Sequence, residues 1–157
     1  MAKSAPSPVR GLAAGLAAGL IASFAMNQFQ KMWSAAVPMP EDDEPSTVKA
    51  AQKATRAAGA ELAKDEKKPA GNAVHYLFGG GLGALYGLIA EYRPEITSGF
   101  GARFGLGAAA LFDEAAVPVA GLSEPPTDIP ARQHLYGIAS HLVYGGTTEA
   151  VRRLLRF

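Results

Sequence analysis

A small set of side chains in this sequence can carry chemistry: His75, His134 and His141, the adjacent acids Asp113 and Glu114, and the charges Arg103, Glu91 and Glu149. Imidazole titrates near neutrality, and a carboxylate beside it favours the imidazolium. Asp113, Glu114, His134, His141 and His75 therefore form a candidate titrating cluster. The same residue types suit Zn or Fe, but the histidines are scattered and show neither HxxxH nor the paired ExxH of di-iron bundles. No serine stands in a nucleophile elbow. With no cysteine there is no disulfide, no thiolate metal site and no cysteine nucleophile. We read no catalytic residue, no metal ligand and no cofactor from these positions, and expect no enzyme.

The elements that must position these groups are apolar helices. Crossing a bilayer takes about 20 apolar residues, and four stretches approach that length: about 9–29, 72–92, 99–119 and 132–149. The first carries no charge between Arg10 and Lys31, whereas the third holds Arg103, Asp113 and Glu114 and the fourth His134 and His141. Ionisable groups in lipid need partners. At about 1.5 Å rise per residue, Asp113 lies roughly 12 Å and His141 roughly 16 Å from the 121–130 turn, so facing helices would bring them together. Arg103 starts the third stretch while Glu91 and Glu149 close the second and fourth, which makes Arg103 with Glu149 or Glu91 a candidate intramembrane ion pair.

Glycine recurs every four residues in two of these stretches. Gly11, Gly15 and Gly19 continue into Ser23 and Asn27, and Gly79, Gly83 and Gly87 lie between His75 and Glu91. Such rows let membrane helices approach to backbone contact, where the hydrophobic effect cannot drive association. A dinucleotide loop at Gly81–Gly87 would require a preceding strand and a turn into a helix, and neither is read here. The third and fourth stretches carry similar rows, Gly101–Gly105–Ala109–Asp113 and Gly137–His141–Gly145–Glu149.

Composition agrees with a membrane class. Of 157 residues 48% are hydrophobic and 18% charged, with 18 Gly and 11 Pro; 15 basic residues against 14 acidic leave a charge of +1, too little excess for a nucleic-acid module. The mean hydropathy of +0.07 averages long apolar stretches with one polar segment, 30–71. Within it VPMPEDDEPS is too rich in proline for a helix, and 46–68 reads as a surface helix capped at Ser46 or Thr47, with a weak stripe of Val48, Ala51, Thr55, Ala58 and Leu62. A soluble Ala/Gly-rich bundle is the alternative architecture, and a cleaved signal peptide ending near Ser23-Phe24-Ala25 is the alternative reading of the N-terminal stretch. The expected fold is all-α: a single membrane domain over 1–157, four transmembrane helices in two antiparallel hairpins with glycine-rich packing faces.

Residues 112–157 carry a further pattern: Asp113-Glu114, Pro118, Gly121-Leu122-Ser123, Pro125-Pro126, then His141-Leu142-Val143-Tyr144-Gly145, Glu149 and Arg152-Arg153. In this the sequence resembles the YagU-like family of small bacterial inner-membrane proteins, a domain of unknown function. Weaker likeness extends through VPMP at 37–40, His75 and AEYRP at 90–94, with the helix at 46–68 as a departure. The resemblance implies a multi-pass protein of the bacterial inner membrane with both termini cytoplasmic, and supplies no catalytic residues. The charges alone leave orientation open, with Lys3, Arg10, Arg93, Arg152, Arg153 and Arg156 on the terminal side and Lys31, Lys49, Lys53, Arg56, Lys64, Lys67, Lys68 and Arg132 on the other.

Three functional readings follow. One is a packing or accessory protein whose partners are membrane lipids and either a second copy of itself or a larger membrane complex, with no nucleic acid. A second is a proton- or ion-responsive membrane protein acting through the Asp/Glu/His cluster. A third is a metal-binding membrane enzyme.

Overall fold

The computed structural model describes residues 5–37 and 44–156; Lys3 and most of VPMPEDDEPS lie outside them. Every regular element among the described residues is helical: α1 (Pro8–Ala36), α2 (Ser46–Ala57), α3 (Lys67–Tyr92), α4 (Ala102–Ala108), α5 (Val117–Val119) and α6 (Ala131–Leu155). A π-helical segment, Ala109–Ala116, joins α4 to α5 without a break, and 3-10 turns occupy Pro94–Thr97 and Pro126–Asp128.

Local chemistry sets the ends. The Ser7 hydroxyl caps α1 by accepting from the Arg10 amide, and Pro8 occupies the first turn, where no N–H is needed. α2 is shorter than the helix expected over 46–68. Gly59, at φ +81°, turns the chain so that its own N–H reaches the Arg56 carbonyl and that of Ala60 reaches Thr55, a Schellman closure. α3 starts at Lys67, earlier than expected, because Pro69 falls in its first turn and is tolerated there. The third apolar stretch becomes helical only at Ala102, after Gly99, Phe100 and Gly101 all adopt positive φ.

The apolar stretches fold into an up-down-up-down bundle of α1, α3, α4–α5 and α6. α1 packs on α3 and on α6, and α4 packs on α6. Two seams are glycine-lined. Gly11, Gly15 and Gly19 meet Gly87, Gly83 and Gly79, and Gly101 and Gly105 meet Gly145 and the His141 backbone. A Cβ on Gly83 would lie 2.6 Å from the Gly19 Cα, so the backbones touch because no side chain stands between them. Aromatic rings make the third seam, with Tyr86 stacked on Phe104 at 4.2 Å and Phe78 edge-on to Phe112 at 4.7 Å.

The consequence is an inverted distribution of size. Ala14, Ala18, Ala22 and Ser23 are buried, whereas Leu12, Leu16, Leu20, Ile21 and Phe24 of the same helix are exposed. α3, the π segment and α6 likewise expose Leu77, Leu85, Leu111, Leu135 and Leu142. α1 and α3 are each long and apolar enough to cross a membrane, while the interrupted α4–α5 and the more polar α6 do not meet that measure.

Candidate functional site

Polar groups enter the bundle at its two ends and along its axis. At the end bearing the 121–130 turn, Asp113 and Glu114 leave the π segment toward α6. The segment arises where Val117 donates to the Phe112 carbonyl, one residue beyond an α-helical bond, and the next residue, Pro118, has no N–H to give. Asp113 lies level with Gly137, where a Cβ would sit 2.8 Å from its Oδ2. From that midpoint the acids diverge along α6. Asp113 Oδ2 reaches His141 Nδ1 at 3.2 Å, and Glu114 Oε1 reaches His134 Nδ1 at 2.7 Å. Seven residues separate the two histidines, nearly two helical turns, so both present the same face.

The five residues expected in one cluster thus form two pairs and an outlier. Nδ1 of His141 is also 3.0 Å from the Gly137 carbonyl, and Nε2 of His134 is 3.1 Å from the Pro126 carbonyl, which ties the helix to the preceding turn. His75 stands apart, its Nε2 3.3 Å from the Ser23 carbonyl across the α1–α3 seam. Asn27 of the same seam donates to Tyr76. Among the described residues no three His, Asp or Glu side chains converge on one point that a metal ion would occupy.

The opposite end holds a second polar layer. Glu149 is fully buried and accepts from Tyr86 at 2.9 Å, from Arg152 at 2.7 and 2.9 Å and from Arg153 at 2.6 Å. Glu91 accepts from Arg156 at 2.7 Å and from the Ser7 amide at 3.1 Å, while its other oxygen is buried without a partner. These contacts tie α3 to α6 and to the start of α1.

The ion pair expected between Arg103 and Glu149 or Glu91 is not formed. Glu149 is taken by Arg152 and Arg153 of α6 and Glu91 by Arg156 just beyond its end, and Arg103, exposed on the far side of α4, donates instead to the Ser98 hydroxyl at 3.0 Å. The signal for the observed arrangement is the Glu149-x-x-Arg152-Arg153 spacing, which places acid and bases one turn apart on one helix. Tyr86 left no such signal, because a hydroxyl between glycines reads as a packing residue.

Between the layers, Tyr144 donates to the Gly79 carbonyl at 2.6 Å and Thr148 to the Tyr144 carbonyl at 2.8 Å. Ser140 is fully buried with an unpartnered hydroxyl.

Outside the bundle, α2 lies on the first turn of α3, with Val48 and Ala51 buried and Val48 against Gly71. The upper part of its expected stripe is therefore a packing face, while Ala58 is exposed. Glu44 clips the two helices together, meeting Lys67 at 3.2 Å and Gln52 at 2.6 Å. The Lys67 hydrogen bond holds its carboxyl below the usual glutamate value. Lys53 donates to the Ala120 carbonyl at 3.0 Å, joining α2 to the end of α5 just before the 121–130 turn.

A family model described as a protein of unknown function, DUF1440, matches residues 49–150. The match takes in all three histidines, the acid pair, Glu91, Arg103 and Glu149. It includes most of the 46–68 segment, the part of the chain that departs from the YagU-like pattern, and leaves α1 outside. Neither the curated proteins nor the solved structures contain a match to this chain.

Proposed function

The chain belongs to the DUF1440 family, and from that premise we propose that it is a four-span protein of the bacterial inner membrane, of packing or accessory type, acting as a homodimer or as a subunit of a larger membrane complex. Kinship with YagU-like proteins and cytoplasmic placement of both termini belong to the same proposal, as does the absence of catalysis. The observation that carries it is the inverted distribution of side chains. Leu12, Leu16, Leu20 and Phe24 point outward from a helix whose inner face is glycine and alanine. In water so much large apolar surface would be a liability; in lipid it is the matching solvent, and close glycine packing replaces the missing hydrophobic drive. α4–α5 and α6 complete the same bundle, and their acids and imidazoles are turned to one another, as spans carrying ionisable groups require.

The chain lacks cysteine, so single-cysteine labelling in intact cells tests the topology directly. Cysteines at Gly59 and Ser123 should react from one side and at Glu95 from the other, while positions Leu16, Leu85, Leu111 and Leu142 stay unreactive to a charged reagent. Reaction at those four, or recovery of the protein without detergent, would exclude the proposal.

A second reading, a proton-responsive membrane protein, is favoured by one feature: two carboxylate–imidazole pairs join one π turn to α6 on either side of Gly137. π-helical turns recur at functional sites, and a carboxylate–imidazole contact depends on the charge of both partners.

A further inference from the structure

The seam between α3 and α4 is the loosest in the bundle, held by aromatic contacts rather than glycine rows, and it opens at the end bearing the termini into a cleft of about 500 Å³. Its walls are apolar: Leu82, Leu85 and Ile89 from α3, and Ile96 and Phe104 from the facing side. Leu85 is 51% exposed there, so the cleft faces outward with the rest of the apolar surface.

One cation stands at its mouth. Arg103 lines the cleft and is bonded only to the neutral Ser98 hydroxyl, which draws its guanidinium toward the end of the bundle. The neighbouring acids are engaged elsewhere: Glu149 by Arg152 and Arg153, Glu91 by Arg156, and Glu95, which also lines the cleft, by Arg93 at 3.4 Å. Among the described residues Arg103 is therefore a cleft-lining cation that no carboxylate pairs, Glu95 beside it being paired with Arg93.

We infer that this cleft is a binding site for an anionic phospholipid, an acyl chain lying along Leu82, Leu85, Ile89 and Phe104 and the headgroup phosphate on Arg103. The inference rests on the membrane reading above and adds a ligand class to it. An arginine fork matches phosphate oxygens bidentately, and basic pockets between membrane helices take anionic headgroups. The apolar wall beneath the charge distinguishes a lipid from a free anion, for which it offers nothing. A second groove at the same end, between α1 and α6, is lined by Arg10 and Arg156, so the cleft opens at a level already set with arginines.

The test uses the full chain purified in mild non-ionic detergent, with bound lipid counted by native mass spectrometry. Phosphatidylglycerol should bind more tightly than phosphatidylcholine of the same chains, and inorganic phosphate should not displace it. Arg103→Gln should weaken phosphatidylglycerol by about fivefold, the worth of one basic residue near an anionic surface. Leu85→Trp, which fills the cleft and keeps the charge, should weaken it too, whereas Arg132→Gln at the opposite end should not. Melting in lipid-free detergent should be unchanged by Arg103→Gln, since that residue holds no other element. Equal binding of the two lipids, displacement by phosphate, or an unaltered Arg103→Gln variant overturns the site. If detergent is still required for extraction, those results leave the membrane reading standing; a protein recovered without detergent removes both.

Discussion

Gly15 and Gly83 stand across the α1–α3 seam so closely that a Cβ on Gly83 would lie 2.5 Å from the Gly15 carbonyl oxygen. Backbone meets backbone there, so added volume has nowhere to go except by separating the helices. Gly15→Leu or Gly83→Leu should destabilise the protein by about 3 kcal/mol or more, at the upper end of overpacking costs. Gly81→Ala on the same helix meets nothing within 4 Å and should be neutral or stabilising by up to about 1 kcal/mol. Melting in detergent compares them, and similar losses at Gly83 and Gly81 would refute the seam.

Glu149 is fully buried with three donor side chains, so removing its charge strands two arginines. Glu149→Gln should cost about 3–5 kcal/mol, as for a buried pair broken on one side. Tyr86→Phe removes one hydrogen bond between membrane helices and should cost about 0.6–1 kcal/mol. Arg103→Ala should combine additively with Glu149→Ala because the two side chains share no bond. A large coupling energy between them would restore the pairing that the geometry denies.

These contrasts mark what was legible in the residues. The glycine rows could be read because a four-residue repeat of small side chains has one physical use in a helix. The His–carboxylate contacts were half legible, since depth along a helix follows from counting residues. Their division into two pairs was not, because the π segment changes the direction of Asp113 and Glu114 by a register shift that Pro118 permits but does not by itself announce. Arg103 failed for a different reason: depth alone cannot rank an acid on another helix against arginines one turn away on the acid's own.

Glu44 sets the pH response of α2. Its carboxyl is held below the ordinary glutamate value of 4.5, chiefly by the hydrogen bond from Lys67, so the folded-state value is the lower one. The clip is therefore present above that ordinary value and is lost as pH falls through the lowered one. Protection against hydrogen exchange in α2, taken relative to the intrinsic rate at each pH, should fall over that acidic range in the wild type and vary less with pH in Glu44→Gln. Identical pH profiles for the two would show that Val48 and Ala51 alone dock the helix.

Asp113 and Glu114 meet His141 and His134 from one π turn, so a change at either contact acts on the same segment. Each contact is attractive when the acid is ionised and the imidazole protonated, so neutralising either partner weakens it. Gly137 lets the Asp113 carboxylate lie against the α6 backbone, where an added Cβ would meet its Oδ2 at 2.8 Å. Loss of either charge should let the π segment shift against α6, a local electrostatic change biasing a packed element. The readout is cross-linking of cysteines at Leu111 and Ile138, both exposed, by thiol reagents of graded length, followed from pH 4 to 8. Wild type should change its cross-linking efficiency across that range, and Asp113→Asn with His141→Gln should flatten the response. A wild-type profile as flat as the double variant's would make the pairs a static polar seam and end the proton-responsive reading.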